Sequence, residues 1–314
     1  HFTRNMLGSG AASGRDDDVR IAAVYAVGTY TPLTTTLGDG TNPANATLAP
    51  GGAATMLDSF TFATSSGTDT ITAITVGLAA GTSAGLSLVE ITSDDGLTLY
   101  GSAANPASDT VAISPLATSI TATTTSTPYK VRITPKSHAA MPAPAGAAYA
   151  TTGTVTTWTG TNTTAGTDAG SASLTIDNLS PANVTGASAS PGNAQVTVSW
   201  TNPADSDFAN LVVLRKATST ITGVPTEGSS PALDATVGDG TVRYILSSSP
   251  FTDTSGLTNG TLYFYRLFAK DTSGNYSATG VEVSATPTAG VAAPIIRVRG
   301  GVTFRGGVRS RTTP

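Results

Sequence analysis

The sequence predicts an all-β protein built from two tandem β-sandwiches, with an extended arm at each end. Short runs of β-branched and aromatic residues recur along the chain, and many alternate apolar with polar residues, as from Ile71 to Val76. Clusters of Gly, Pro, Asn and Asp separate these runs. No stretch combines helical periodicity with capping residues at its ends. The length of 314 residues is sufficient for two hydrophobic cores.

The composition is poor in charge, with 16 basic and 20 acidic side chains, or 11% of the chain, against roughly 25% in an average soluble protein. The net charge of −4 is too small to indicate nucleic acid or an acidic membrane surface as the main partner. The absence of cysteine excludes a disulfide scaffold, a thiol nucleophile and thiolate metal sites. The longest charge-free run, 137–167, is broken by prolines and glycines, so no membrane insertion is expected. A surface of small and hydroxyl-bearing residues protects poorly against self-association.

The first part of the chain divides into an arm and a sandwich. Residues 1–18 are rich in Gly and Ser and have too few apolar residues to form a core, so we assign them to an N-terminal arm. Residues 19–180 contain about ten predicted strands and are expected to form a jelly-roll or immunoglobulin-like sandwich. Asp95-Gly96 predicts a tight hairpin turn at 93–98. The predicted strands are 19–27, 56–64, 69–78, 85–92, 97–101, 109–114, 119–124, 128–135, 148–158 and 171–178.

A second sandwich is predicted over residues 181–288. Trp200 ends its second strand, the run LVVLRK forms the third, and the spacing Leu257-x5-Tyr263-x-Tyr265 leads into the sixth. These residues resemble a fibronectin type III module over about 181–287. The resemblance implies a structural core containing Trp200, Tyr263 and Tyr265, with Tyr263 at the position that makes the family's corner hydrogen bond. The predicted strand regions are 183–203, 210–217, 241–253, 259–271 and 280–287.

Two features of this second region bear on its setting. The run DTSGNYS at 271–277 is similar to the turn before the last strand in bacterial secreted members of the family. We therefore expect a secreted surface protein of bacterial or archaeal type. The stretch 218–241 is longer than the corresponding connection in the family. The assignment of the middle strands is therefore left undecided.

The C-terminal segment, 289–314, is basic and has the alternation of a β-strand. It carries five arginines and no acid, and Arg-Gly-Gly-Val occurs at 299–302 and again at 305–308. Since this period is even, both valines would face the same side of an extended strand. An RNA-binding segment would have more aromatic residues for base stacking, so an arm that pairs with a sheet edge is favoured. The arm residues are Ile295, Ile296, Arg297, Val298, Arg299, Val302, Phe304, Arg305, Val308, Arg309 and Arg311.

No catalytic, cofactor or metal site is predicted, and the chain is not expected to be an enzyme. His1 and His138 could form a copper-binding pair, but His138 lies in a Pro- and Ala-rich stretch and is predicted to be a solvated loop residue. The run ADSDFAN at 204–210 could supply oxygens to Ca²⁺, but it has fewer than the six to eight ligands that this ion takes. Polar turn residues are the favoured interpretation. The nucleophile-elbow, phosphate-loop and HExxH motifs are absent.

The leading functional hypothesis is a structural subunit of an extracellular filament or surface layer. Its partners would be copies of itself, joined by exchange of β-strand arms between subunits. Asp16, Asp17 and Asp18 form the densest acidic cluster and are a possible acceptor for the basic arm. Two alternatives remain open: a non-catalytic carbohydrate-binding or spacer part of a secreted polysaccharide-degrading protein, and a viral capsid decoration or tail protein. Glycans are possible at six sequons, whose asparagines are Asn45, Asn162, Asn178, Asn183, Asn259 and Asn275.

Overall fold

The computed structural model describes residues 31–142 and 148–290. The predicted strand at 19–27, the arm at 1–18 and the arm residues from 291 onward lie outside the described residues. The described chain is nearly all β, so the predicted fold class is confirmed. Its two helical segments are short 3₁₀ turns, Thr82–Gly85 and His138–Ala140.

The first sandwich contains fourteen of the described strands. The strands are β1 (Thr34–Asp39), β2 (Ala46–Leu48), β3 (Thr55–Thr64), β4 (Asp69–Ile71), β5 (Ala73–Leu78), β6 (Leu86–Ser93), β7 (Leu99–Ala104), β8 (Thr110–Ile113), β9 (Ile120–Ala122), β10 (Thr127–Pro135), β11 (Ala148–Thr151), β12 (Gly153–Thr159), β13 (Thr163–Gly166) and β14 (Leu174–Asp177). A six-stranded sheet in the order β13-β1-β3-β10-β6-β7 packs against β12-β5-β8. The smaller sheets β11-β14-β2 and β4-β9 complete the sandwich.

Aromatic rings from β3 and β10 form the centre of the first core. The Phe60 ring stacks on Tyr129 at a centroid distance of 5.7 Å and meets Phe62 edge-on at 5.6 Å. Such pairs add about 0.5–1.5 kcal/mol each to the gain from burial. Ile74 of β5 and Val155 of β12 belong to the same core, so the two main sheets share it.

Two predicted strands divide in the structure because each changes sheets. At Thr72 the run 69–78 passes from β4, which pairs with β9, to β5, which pairs with β8 and β12. At Thr152 the run 148–158 passes in the same way from β11 to β12. The sequence analysis missed β1, β2 and β13, because short Thr- and Gly-rich segments lack apolar alternation. The hairpin at 93–98 is confirmed, with Gly96 at φ 75° between β6 and β7.

The second sandwich has eight strands in two sheets. The strands are β15 (Thr185–Gly192), β16 (Gln195–Thr201), β17 (Phe208–Ala217), β18 (Thr236–Val237), β19 (Gly240–Tyr244), β20 (Phe251–Asp253), β21 (Tyr263–Asp271) and β22 (Val281–Ala285). The sheet β15-β16-β20 packs against β18-β19-β17-β21-β22. Apart from β18, this is the three-plus-four strand arrangement of a fibronectin type III module, so the fold is fibronectin type III-like. The single run predicted at 241–253 is divided between the two sheets as β19 and β20.

The long stretch 218–241 covers the outer face of the five-stranded sheet. Ile221, within this stretch, is 3% exposed and packs with Val212, Leu214 and Phe268 in a separate apolar cluster. Alternate residues of β17 therefore face two cores, since Leu211 and Val213 belong to the central one. A strand buried on both faces is a continuous apolar run rather than an alternating one, and this explains the sequence LVVL.

Among the described residues, no helix is long and apolar enough to cross a membrane.

Candidate functional site

Hydrogen bonds join the two sandwiches through the loop between β21 and β22. Ser273 Oγ donates to Asp177 Oδ2 at 2.7 Å, and Asn275 Nδ2 donates to the backbone oxygen of Asp177 at 3.1 Å. His138 Nε2 lies 3.2 Å from the backbone oxygen of Ser273. Asp177 and His138 belong to the first sandwich, whereas Ser273 and Asn275 belong to the second. We call these four residues the interdomain junction.

Glu227 and Gly228, in the long stretch 218–241, form hydrogen bonds with the loop that carries Ser273 and Asn275. Tyr276 N donates to Glu227 Oε2 at 2.8 Å, and Gly228 N donates to the backbone oxygen of Gly274 at 2.9 Å. A Cβ atom on Gly228, whose φ is +75°, would lie 2.5 Å from the His138 ring, so this close approach requires glycine. The prediction that His138 is a solvated loop residue is therefore wrong, because its ring packs against the second sandwich.

Three carboxyl groups meet beside the junction. Oxygens of Asp177, Asp207 and Asp271 all lie within 4.8 Å of one another. Protein donors already satisfy the two buried members: Asp271 accepts from the backbone N and the Nδ2 of Asn275, both at 2.8 Å, and Asp177 accepts from Ser273. These hydrogen bonds fix the position of the loop. The two aspartates of the run 204–210 have different positions: Asp207 lies in this group, whereas Asp205 accepts from the backbone N of Ala182.

A second group of carboxylates lies in the first sandwich and is held very differently. Oxygens of Asp39, Asp58 and Asp168, which we call the acidic triad, lie within 4.8 Å of one another. Asp58 is 0% exposed, and neither of its Oδ atoms has a hydrogen-bond partner among the described residues. Burial, together with the neighbouring carboxyl group of Asp168, raises the pKa of Asp58 to about 8. Burial also raises the pKa of Asp168.

A β-bulge in β3 creates the triad. The register between β10 and β3 shifts at this point: Val131 pairs with Asp58, and Arg132 pairs with Met56. Leu57 therefore has no partner on β10. Bulges interrupt alternation and redirect side chains, and here Leu57 and Asp58 are both 0% exposed. The backbone oxygen of Leu57 instead accepts from Ala172 N at 2.9 Å. This bond holds the loop that carries Asp168 against Asp58.

Two neighbouring sheet edges form a cleft on the same sandwich. Within the part of the chain that is described, β12 pairs only with β5 and β13 pairs only with β1. Between them is a cavity of about 330 Å³, lined by Thr156, Thr157, Trp158 and the end of β13. The indole Nε1 of Trp158 has no described hydrogen-bond partner. Its ring lies 5.6 Å from Phe62, which anchors the cleft to the core. We call this the edge cleft.

The structure places the predicted core residues of the second sandwich inside it. Trp200, Tyr263 and Tyr265 are 6%, 7% and 0% exposed. Tyr263 Oη accepts a hydrogen bond from Thr258 N at 3.0 Å, which is the corner bond that the resemblance implies. Tyr265 donates its hydroxyl to Asp253 at 3.0 Å, and burial with this carboxylate raises the pKa of Tyr265.

The predicted assembly residues cannot be placed in the same way. Asp16, Asp17, Asp18 and the arm residues from Ile295 to Arg311 lie outside the described residues. Two sequon asparagines, Asn178 and Asn275, are 5% and 2% exposed, so the folded chain shields them from glycosylation.

The sequence analysis missed both acidic groups. The members of each come from distant positions, and no motif spacing links Asp39 to Asp168 or Asp177 to Asp271. The one available signal was Asp58 itself, an acidic residue within the apolar strand MLDSFTF.

No protein-family model and no curated protein matches the chain. A similar solved structure is the spore cortex lytic enzyme SleM of Clostridium perfringens, at 18% identity over 35% of this chain and a TM-score of 0.26. The chain spans only 29% of the length of SleM. A Fn3-like protein from Clostridium thermocellum is 24% identical over 33% of this chain and 91% of its own, with a TM-score of 0.24. The fibronectin(III)-like modules of CbhA from Clostridium thermocellum are 12% identical over 84% of this chain and 100% of theirs, with a TM-score of 0.27. The likeness concerns the fold alone.

Proposed function

We propose that the chain is a non-catalytic structural subunit of an extracellular filament or surface layer. Subunits join when the C-terminal arm, 289–314, of one copy pairs with an open sheet edge of the next. The donor and acceptor surfaces differ, so each contact leaves a free arm and a free edge. Repetition of the contact therefore gives an open polymer.

The edge cleft is the observation that carries this proposal. Backbone N–H and C=O groups on an open edge pair readily with an extended segment from another chain. The half-buried indole ring of Trp158 lines the cleft, whereas its Nε1 is buried. The indole ring also attracts guanidinium groups, and the arm carries five arginines.

Two further properties support a structural role. The interdomain junction fixes one sandwich against the other through side-chain and backbone hydrogen bonds, as a subunit that transmits force along a filament requires. The chain has only 36 charged side chains in 314 residues, so electrostatic repulsion between copies is weak.

Deletion of residues 293–314 tests the role of the arm. The full chain should form polymers visible by negative-stain microscopy, whereas the truncated chain should elute as a monomer with both sandwiches folded. Size-exclusion chromatography with light scattering and circular dichroism measure these two properties. Polymers of normal length from the truncated chain would contradict the role of the arm, and a full chain that stays monomeric at high concentration would contradict the proposal as a whole.

A charge placed in the edge cleft tests the acceptor. Thr164 is exposed on the open edge of β13, and a lysine on an edge strand opposes pairing with another chain. Thr164→Lys should block polymer growth without changing the melting temperature by more than about 2 °C. Thr110→Lys is the matched control, since Thr110 is exposed on β8, another edge strand of this sandwich. If both variants polymerise like the wild type, the cleft is not the acceptor.

The spacer hypothesis and the filament proposal predict different states of assembly. A spacer in a polysaccharide-degrading protein would use the same fixed junction but would remain monomeric. A flat carbohydrate-binding platform normally needs exposed aromatic rings, and the exposed large apolar residues in the described part are all Leu or Val. The chromatography above therefore separates the two functions.

A further inference from the structure

We propose that the acidic triad of the first sandwich, Asp39, Asp58 and Asp168, binds a calcium ion. This proposal does not depend on the arm or on the proposed assembly.

The first argument is the unsatisfied carboxylate of Asp58. A buried carboxylate is stable only when hydrogen bonds, a cation or protonation compensates for the lost water. Asp58 is 0% exposed, and its oxygens have no side-chain hydrogen-bond partner among the described residues except the neighbouring carboxyl group of Asp168, which requires a proton shared between the two. The Oδ1 of Asp168 is likewise buried without a partner. Two carboxylates therefore direct free oxygens to the same point.

The second argument is the absence of a compensating side chain in the described part of the protein. None of the Lys, Arg or His residues there forms an ion pair with Asp39, Asp58 or Asp168. Three ionised carboxylates this close repel one another, so without a cation at least one of them must hold a proton. A bound divalent ion would remove the repulsion and would provide the missing partner of Asp58.

The third argument is geometry and donor type. Ca²⁺ takes six to eight oxygen ligands at about 2.3–2.6 Å, so oxygens on opposite sides of the ion are up to about 5 Å apart. The triad oxygens lie within 4.8 Å of one another. Asp58 and Asp168 together have three buried oxygens without a described partner, Asp39 adds at least one more, and water completes the shell through Asp39, which is exposed. Mg²⁺ requires stricter octahedral geometry and keeps more of its water, so the triad favours the larger ion.

The three residues of the triad come from different elements of the first sandwich. Asp39 ends β1, Asp58 lies at the bulge of β3, and Asp168 lies in the loop after β13. Asp168 Oδ2 is anchored by Val155 N of β12 at 2.7 Å, which directs its other oxygen to the triad. An ion bound there would join β1, β3 and the loop after β13, and Asp168 connects this loop to β12 of the other main sheet.

Calcium titration of the full chain tests the proposal. After treatment with EGTA and removal of the chelator, CaCl₂ should bind with one site per chain and a dissociation constant on the order of 10⁻⁴–10⁻³ M, the range of extracellular modules, by isothermal titration calorimetry. Saturating CaCl₂ should raise the melting temperature of the first sandwich by roughly 3–8 °C, and MgCl₂ at the same ionic strength should have a smaller effect.

Variants assign the ion to the triad. Asp58→Asn and Asp168→Asn should each weaken calcium binding at least tenfold, and Asp39→Asn, at an exposed position, gives the same test if either buried variant fails to fold. Asp109→Asn is the matched control in this sandwich, since that carboxylate accepts from Gly81 N and Ser83 N. Asp207→Asn tests the carboxylates at the junction. Wild-type protein that shows neither binding heat nor a calcium-dependent shift would overturn the proposal, as would loss of binding in Asp207→Asn with the triad variants unaffected.

Discussion

Asp58 in the first sandwich and Asp253 in the second are both buried in β-strands, yet the protein holds them in opposite ways. Asp253 is 1% exposed and accepts from Arg215 Nη1 at 2.8 Å, Tyr265 Oη at 3.0 Å and Ser255 N at 3.0 Å. Asp58 is 0% exposed and accepts from no donor in the described chain. The chain itself compensates one buried charge and leaves the other for a ligand. Burial alone therefore does not tell whether an acidic residue is structural.

Removal of the charge on Asp253 should have the largest effect. Asp253→Asn leaves the Arg215 guanidinium without its carboxylate, and breaking a buried ion pair on one side costs about 3–5 kcal/mol. Urea unfolding of the second sandwich measures this loss. Asp94→Asn is the control, because Asp94 also pairs with a cation, Lys130, but its side chain is 60% exposed, and such pairs contribute about 0–1 kcal/mol. Equal losses in the two variants would mean that the Asp253 network is not cooperative.

Asp69 shows that the first sandwich can also satisfy a buried carboxylate. Its oxygens accept from Thr35 Oγ1 at 2.6 Å and from the backbone N and the Oγ1 of Thr161 at 2.7 and 2.8 Å. Burial raises the pKa of Asp69, but these hydrogen bonds outweigh burial and lower the pKa below its ordinary value of 3.8. Asp69→Asn should cost about 2 kcal/mol at neutral pH, since hydrogen bonds to a charged group are worth about 1.5–3 kcal/mol each and the amide retains part of them.

The same residue gives a pH dependence with a definite sign. Because the pKa of Asp69 is lower in the folded state than in the unfolded state, its contribution is fully present above the unfolded pKa of 3.8 and is lost as the pH falls through the lower, folded value. The difference in unfolding free energy between wild type and Asp69→Asn should therefore shrink below about pH 4. A difference that stays constant over this range would mean that the carboxylate is not preferentially stabilised in the fold.

Asp58→Asn should have the smallest effect and the opposite sign when calcium is absent. Because the pKa of Asp58 is raised to about 8, folding without an ion requires that this side chain take up a proton at neutral pH. The amide needs no proton and conserves shape, so the free energy of unfolding in EGTA should rise by about 1 kcal/mol. Asp95→Asn, in the exposed turn between β6 and β7, is the control for a general charge effect. A loss of more than about 1 kcal/mol in EGTA would indicate that Asp58 has a donor in the residues outside the described range.

Apolar alternation predicted much of the fold because burial of one strand face leaves a period of two in the sequence. It located β3, β10 and β21, and the resemblance located Trp200 and the bond made by Tyr263. It did not predict the sheet changes at Thr72 and Thr152, since local residues do not specify which strand becomes the neighbour. The acidic triad could not be predicted from the sequence for a related reason: a β-bulge and a long-range backbone hydrogen bond bring its members together.

The position of the interdomain junction has a consequence for how the molecule responds to bending. The chain passes from Asp177 to Val184 by a short connection, while Ser273 and Asn275 bond to the first sandwich far from this connection in sequence. Both bonds end on Asp177, the residue at which the connection leaves the first sandwich, so rotation of one sandwich about this residue must break them. Force that bends the chain is therefore opposed first at the loop between β21 and β22. Ser273→Ala would remove one of these hydrogen bonds and lower the resistance to bending without unfolding either sandwich.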